Sequence, residues 1–155
     1  MNTHIAISKV CKAMREYQKI NNIKEQCMTN TQFLYDTIKS SFPNIDVKAK
    51  AVICCNIHDH ITIKHTIHLM IIADGEYYEP SYELYALKPR YFTSIKSLLE
   101  NFKPNDLIKE NLKEILPPFM RFIELEKKIN DGGLLICDSD FYHKQADYIQ
   151  ELFSN

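Results

Sequence analysis

The chain has 155 residues, 45% of them hydrophobic and 25% charged, the size and balance of one domain able to bury a substantial core. Lys and Arg (19) nearly cancel Asp and Glu (20) for a net charge of -1, leaving no basic excess to hold nucleic acid or an anionic membrane. No apolar stretch approaches the roughly 20 residues that a membrane span needs.

The first predicted element is a helix over residues 3–20, where Ile5, Val10, Met14 and Tyr17 recur at helical spacing. Thr3 is its expected N-cap and Asn21-Asn22 its end. A second helix fits residues 29–41 with Phe33, Leu34, Thr37 and Ile38 on one face, stopped by Phe42-Pro43, so Cys27 falls at or just before its N-terminus. The period then changes: 48–57 and 61–73 are β-branched and apolar, with His58-Asp59-His60 as the turn between them. Asp74-Gly75 is the strongest hairpin signal, because a type I′ turn needs positive φ at both central positions. Residues 76–82 then form the third strand of an antiparallel meander. From Tyr91 the pattern is helical, over about 91–102 and about 105–129, with Pro117-Pro118 breaking the latter. Asp131-Gly132-Gly133 reads as a loop and 134–137 as a short strand. Asp138 or Ser139 caps a last helix over about 140–153. This order predicts one α+β domain over 1–155: a cysteine helix and β-meander in 25–82, and a helical C-terminal part in 91–155 that supplies the other wall of any cleft.

The N-terminal residues lack the apolar core and small-residue cleavage site of a secretory signal. A reducing, cytoplasmic setting is therefore expected, and the five cysteines (Cys11, Cys27, Cys54, Cys55, Cys137) read as free thiols. A cysteine at a helix N-terminus has a particular chemistry: the orphan amides and positive dipole end favour thiolate, the nucleophilic form. It needs a base and a group to orient that base. The hairpin offers both. With Ala73 opposite Glu76, Glu79 falls opposite Met70, on the face that carries His68, and His68 and Glu79 become diagonal cross-strand neighbours. In the same register His65 pairs with Leu84 and points to the other face with Ile63, Ile67 and Leu69. Glu83, opposite Thr66, is a second carboxylate on the His68 face.

Gln26-Cys27 opening a helix is similar to the Gly-Gln-Cys-Trp motif of the transglutaminase-like branch of the papain-like superfamily. His68 with apolar residues after it, Asp74-Gly75, aromatics and then Glu79-Pro80-Ser81 resembles that family's histidine strand, turn and Asp-Pro-Thr. The resemblance covers about 25–82 and implies a cysteine helix packed on a small antiparallel sheet, with a nucleophile Cys27, a base His68 and an orienting acid Glu79 in the family's chain order. It further implies an oxyanion site made by the Cys27 amide with Gln26, acyl transfer to or from a peptide or protein substrate, and no cofactor. The chain departs from the pattern at Glu25 for glycine, Met28 for tryptophan and Glu79 for aspartate. Glu in the third position still orients an imidazole, whereas a lost oxyanion donor lowers the rate on the order of 100-fold or more.

Two other readings stand beside this one. A catalytically inactive member of the same fold would bind a protein partner through the tyrosines Tyr77, Tyr78, Tyr82, Tyr85 and Tyr91. Zinc held by His58, Asp59, His60 and His65 with Cys54 and Cys55 is disfavoured: the spacing fits no tight ligand pattern, and adjacent strand residues point to opposite faces.

Overall fold

The computed structural model describes residues 2–58, 62–101 and 106–154, with 57, 58, 62–64 and 106–111 described by backbone alone. Helix α1 (Thr3–Ile20) is capped one residue earlier than expected: Asn2, not Thr3, is the N-cap, and its side chain accepts from the His4 N–H, as a short amide side chain does well. Ile5 is exposed, and the buried face is Ile7, Cys11, Ala13, Met14 and Gln18. Helix α2 (Cys27–Ser41) starts at Cys27 itself.

Strands β1 (Val47–His58) and β2 (Thr62–Ala73) form a long antiparallel hairpin. The expected turn keeps His58 in β1; Asp59 and His60 lie outside the described residues. Strand β3 (Glu76–Tyr78) pairs with β2, Ala73 opposite Glu76, through a turn in which Asp74 (φ 51) and Gly75 (φ 82) both have positive φ. The third strand is shorter than predicted. Its ladder ends at Ile71 opposite Tyr78, since Pro80 has no N–H to continue it, and residues expected to prolong it become helix α3 (Tyr82–Leu87). His65 therefore has no Leu84 opposite it. Strand β4 (Arg90–Phe92), unforeseen in a segment read as helical, pairs antiparallel with Ile53 to Cys55 of β1. The sheet order is β3-β2-β1-β4, and with the helices around it the fold is α+β.

Helix α4 (Ile95–Asn101) leads to α5 (Asp106–Asn130), which runs unbroken through Pro117 and Pro118. Proline's φ is helical and only its missing N–H and ring crowding oppose the helix. Here Ile115 and Phe119 are buried on either side of the pair, so tertiary anchoring outweighs a local cost of roughly 3 kcal/mol per proline. Further along, α5 closes the β1 edge that β4 leaves open. Asn130 accepts from the Ala49 N–H (2.8 Å) and donates to the Ala49 carbonyl (3.1 Å), while Glu126 accepts from the Ala51 N–H (2.8 Å). Among the described residues no helix is long and apolar enough to cross a membrane.

Residues 134–137 are not a strand. Their amides are taken by α2 side chains instead: Leu135 N–H donates to Gln32 Oε1 (2.7 Å), and the Cys137 and Asp138 N–H groups to Thr29 Oγ1 (3.1 and 3.2 Å). Helix α6 (Ser139–Phe153) follows, capped by Asp138. Thr29 is fully buried, and Thr29→Val, which keeps its shape but orphans two amides, is expected to lower stability by about 2 kcal/mol, read from urea unfolding.

Odd-numbered residues of the hairpin, Val47, Ala49, Ala51, Ile53 and Cys55 with Leu69, Ile71 and Ala73, join the main core beneath the helices. The opposite face carries a small cluster of Val52, Cys54, Met70 and Leu84 with Tyr91 packed against it. Cys54 and Cys55 thus belong to different cores. His68 lies on the second face, opposite Val52.

Candidate active site

Because β3 pairs only with Ile71 to Ala73, the β2 edge over 65–69 has no strand against it among the described residues. The first turns of α2 occupy that edge, with Thr31 Oγ1 within 3.5 Å of the Leu69 carbonyl. This seats Cys27 beside His68. The two side chains line one cleft, the thiol close enough to act on the imidazole's pKa, and the imidazole Nε2 lies 2.7 Å from Glu79 Oε2. His68 is 1% exposed and Glu79 7%. The structure thus brings Cys27, His68 and Glu79 together. Glu79 reaches the histidine just past the end of the ladder, rather than as a strand residue opposite Met70.

Three further contacts hold Glu79, two on its carboxylate and one on its backbone carbonyl. Tyr91 Oη donates to Glu79 Oε1 (3.2 Å), the Ser81 N–H to Oε2 (3.2 Å), and Arg15 Nη1 to the Glu79 carbonyl (2.8 Å). The loop behind it is pinned by a buried amide network. Gln18 Nε2 lies within hydrogen-bonding distance of the Pro80 carbonyl, Asn30 Oδ1 and Gln145 Oε1. Gln18 Oε1 accepts from the Tyr82 N–H, and Asn30 donates to Ser81 Oγ. Buried amides of this kind hold one arrangement only when paired. No sequence signal selects Gln18, Asn30 or Gln145, each a polar residue within a helix. Tyr91 was visible only as one of a tyrosine cluster, of which Tyr78 is buried and Tyr77 and Tyr85 stay half exposed. Glu83 is not a partner for His68: it accepts from the Glu25 N–H (2.8 Å).

Burial by itself lowers the His68 pKa, but the neighbouring Cys27 thiol and Glu79 carboxylate outweigh that and push it up from 6.5 to about 9. A raised folded-state pKa makes the charged imidazole a stabilising element. Its contribution is complete below pH 6.5, declines as pH rises and is lost once pH passes about 9. Burial, then the Glu79 charge, raises the Tyr91 phenol, so it stays a donor. Burial also raises Cys11 to about 12 and Cys55 to about 11, and burial followed by the Glu79 charge raises Cys54.

Glu25, at the position of the resembled motif's glycine, adopts φ 58. A side chain in this left-handed region carries strain of roughly 1 kcal/mol or more, and the Glu83 hydrogen bond holds it. Glu25→Gly is expected to raise stability by about 0.5–1 kcal/mol, measured by denaturant unfolding, without moving Cys27. Gln26, the N-cap residue, makes no side-chain cap bond. Its Oε1 accepts from Thr29 Oγ1 (3.1 Å), and Gln26 is not among the residues lining the cleft that holds Cys27 and His68. The Cys27 N–H, in the first turn of α2, has no acceptor within the helix.

Cys27 and His68 open into a cleft of about 430 Å³ walled by Met28, Ile67, Leu84, Leu87 and Phe122, with Glu25 and Glu83 also lining it. Phe122 belongs to α5, so the C-terminal part does furnish one wall. Among the described residues no group of three or more His, Cys, Asp or Glu is placed to hold a metal ion. No protein-family model matches the chain, and no curated protein or solved structure gives a match.

Proposed function

We propose that the chain is a thiol-dependent acyl-transfer enzyme, a cysteine hydrolase or transglutaminase-like deamidase, built on a papain-like core and acting through Cys27, His68 and Glu79. One observation carries the reading: a buried histidine paired through Nε2 with a buried carboxylate, sharing a cleft with a thiol at a helix N-terminus. A purely structural histidine needs no thiol at the mouth of a cleft. A nucleophile–base–orienter series requires one.

Cys27 gives its proton to His68 and its Sγ attacks the acyl carbon. The carbonyl oxygen, now negative, receives a hydrogen bond from the Cys27 amide. The carbon–leaving-group bond then breaks and His68 passes its proton to the leaving group, leaving a thioester on Cys27. Water or an amine gives a proton to His68 and attacks that thioester. Sγ departs and recovers the proton. Glu79 holds the imidazole's orientation and its charge throughout. The apolar cleft walls favour a peptide or protein acyl donor with an apolar side chain near the reacting carbonyl.

The inactive-module alternative is favoured by one observation, the left-handed, non-glycine Glu25 before the nucleophile. A peptidyl thioester quenched in acid after mixing separates the two readings. The enzyme leaves an acyl group on the peptide containing Cys27 and on no other cysteine; the binding module leaves none.

A further inference from the structure

A second cavity, of about 500 Å³, shares Glu79 and Tyr91 with the site in its wall but not Cys27 or His68. Its charged side chains are cationic apart from Glu79, whose two oxygens are taken by His68, Ser81 N–H and Tyr91. Arg15 is preset there, its Nη1 on the Glu79 carbonyl (2.8 Å) and its guanidinium 3.8 Å over the Tyr85 ring, with further N–H donors to offer. Lys88 adds a second positive charge, and the half-exposed rings of Tyr77 and Tyr85 supply flat apolar walls. The volume is that of a small-molecule site. A fixed guanidinium beside aromatic faces recognises an anion carried on a flat body.

We propose that this cavity binds a small aromatic anion, an aryl phosphate or aryl carboxylate, and that occupancy is transmitted to the thiol site through Glu79. The transmission is physical: Tyr91 holds the Glu79 carboxylate and Arg15 its carbonyl, and a ligand that draws either away changes how Glu79 holds His68.

The test is calorimetric titration of the full chain with phenyl phosphate, with phenol and inorganic phosphate as its two halves. Phenyl phosphate is expected to bind saturably at one site per chain, and each half at least about tenfold more weakly. Arg15→Gln and Lys88→Gly are each expected to weaken binding about tenfold. Lys88 has φ 47, so glycine there suits the backbone, and this variant keeps the test sound if Arg15→Gln disturbs folding. Cys27→Ser should bind the probe as the unaltered chain does, because the cavity does not depend on the acyl-transfer reading. At saturation the rate of Cys27 alkylation by iodoacetamide should change severalfold, and Tyr91→Phe, which removes one of the two contacts, should reduce that change. Absence of saturable binding, or cation variants that bind as tightly as the unaltered chain, overturns the site. Binding that leaves Cys27 alkylation unaltered overturns the coupling.

Discussion

Cys27→Ala is expected to abolish acyl transfer, lowering kcat/KM by on the order of 10⁴-fold or more, as loss of a triad nucleophile does, while the protein stays folded. The substitution removes the sulfur and leaves the backbone amide proposed for the oxyanion in place. The backbone carbonyl at that position still accepts from Thr31 Oγ1 (2.6 Å), and the half-buried side chain contributes little to the core. His68 loses its sulfur neighbour but keeps Glu79. Initial rates on a peptidyl thioester, beside a thermal unfolding curve, separate chemistry from stability. Cys27→Ser should be nearly as inactive, because a hydroxyl is a far weaker nucleophile than the thiolate the imidazole accommodates. An Ala variant that retains activity means that the cleft does its chemistry, if any, without this residue.

Glu79→Gln is expected to cost roughly 10³- to 10⁴-fold in kcat, the scale seen when a triad acid becomes its amide, again with the fold kept. The amide oxygen can still accept from His68 and from the Ser81 N–H, and the NH2 can donate to Tyr91 Oη. What disappears is the negative charge. The His68 pKa, held up at about 9 in part by Glu79, should then fall toward its ordinary 6.5. In the unaltered protein activity needing a protonated imidazole declines as pH rises through about 9; in Glu79→Gln that decline should begin at lower pH. An NMR titration of His68 and the pH profile of kcat both report it. Glu79→Ala is harsher: it leaves a buried imidazole with no carboxylate and is expected to destabilise by about 3–5 kcal/mol.

The hairpin and the placement of Cys27 and His68 are legible because their determinants are local. Asp74-Gly75 sets a two-residue turn, the turn sets the register, and the register sets the face of His68. Cys27 was legible as a helix-start residue because Phe42-Pro43 and the apolar spacing bound α2. What escaped the sequence depends on partners distant in the chain. β4 is three residues long and is a strand only because the β1 edge at Ile53 to Cys55 stands beside it. The α5 prolines look like a break until Ile115 and Phe119 are seen buried on either side. Residues 134–137 were read as a strand from apolarity, yet their amides go to Gln32 and Thr29. The bracing of Glu79 by Tyr91, Arg15 and Gln18 joins residues far apart in sequence, and no spacing rule reaches it.

The most direct test of the thiol–imidazole–carboxylate site is iodoacetamide modification of the native protein at neutral pH, each cysteine followed by peptide mass. Cys11, Cys54 and Cys55 are buried, Cys27 is half-buried and Cys137 is exposed, so exposure alone makes Cys137 the fastest. A working site reverses that order: Cys27 reacts first, and His68→Gln slows it by about tenfold or more while leaving Cys137 unchanged. Contradiction takes the form of a Cys27 that lags Cys137, or reacts only once the protein is unfolded. Either result makes Cys27 a packing residue and removes the nucleophile on which the proposed function depends.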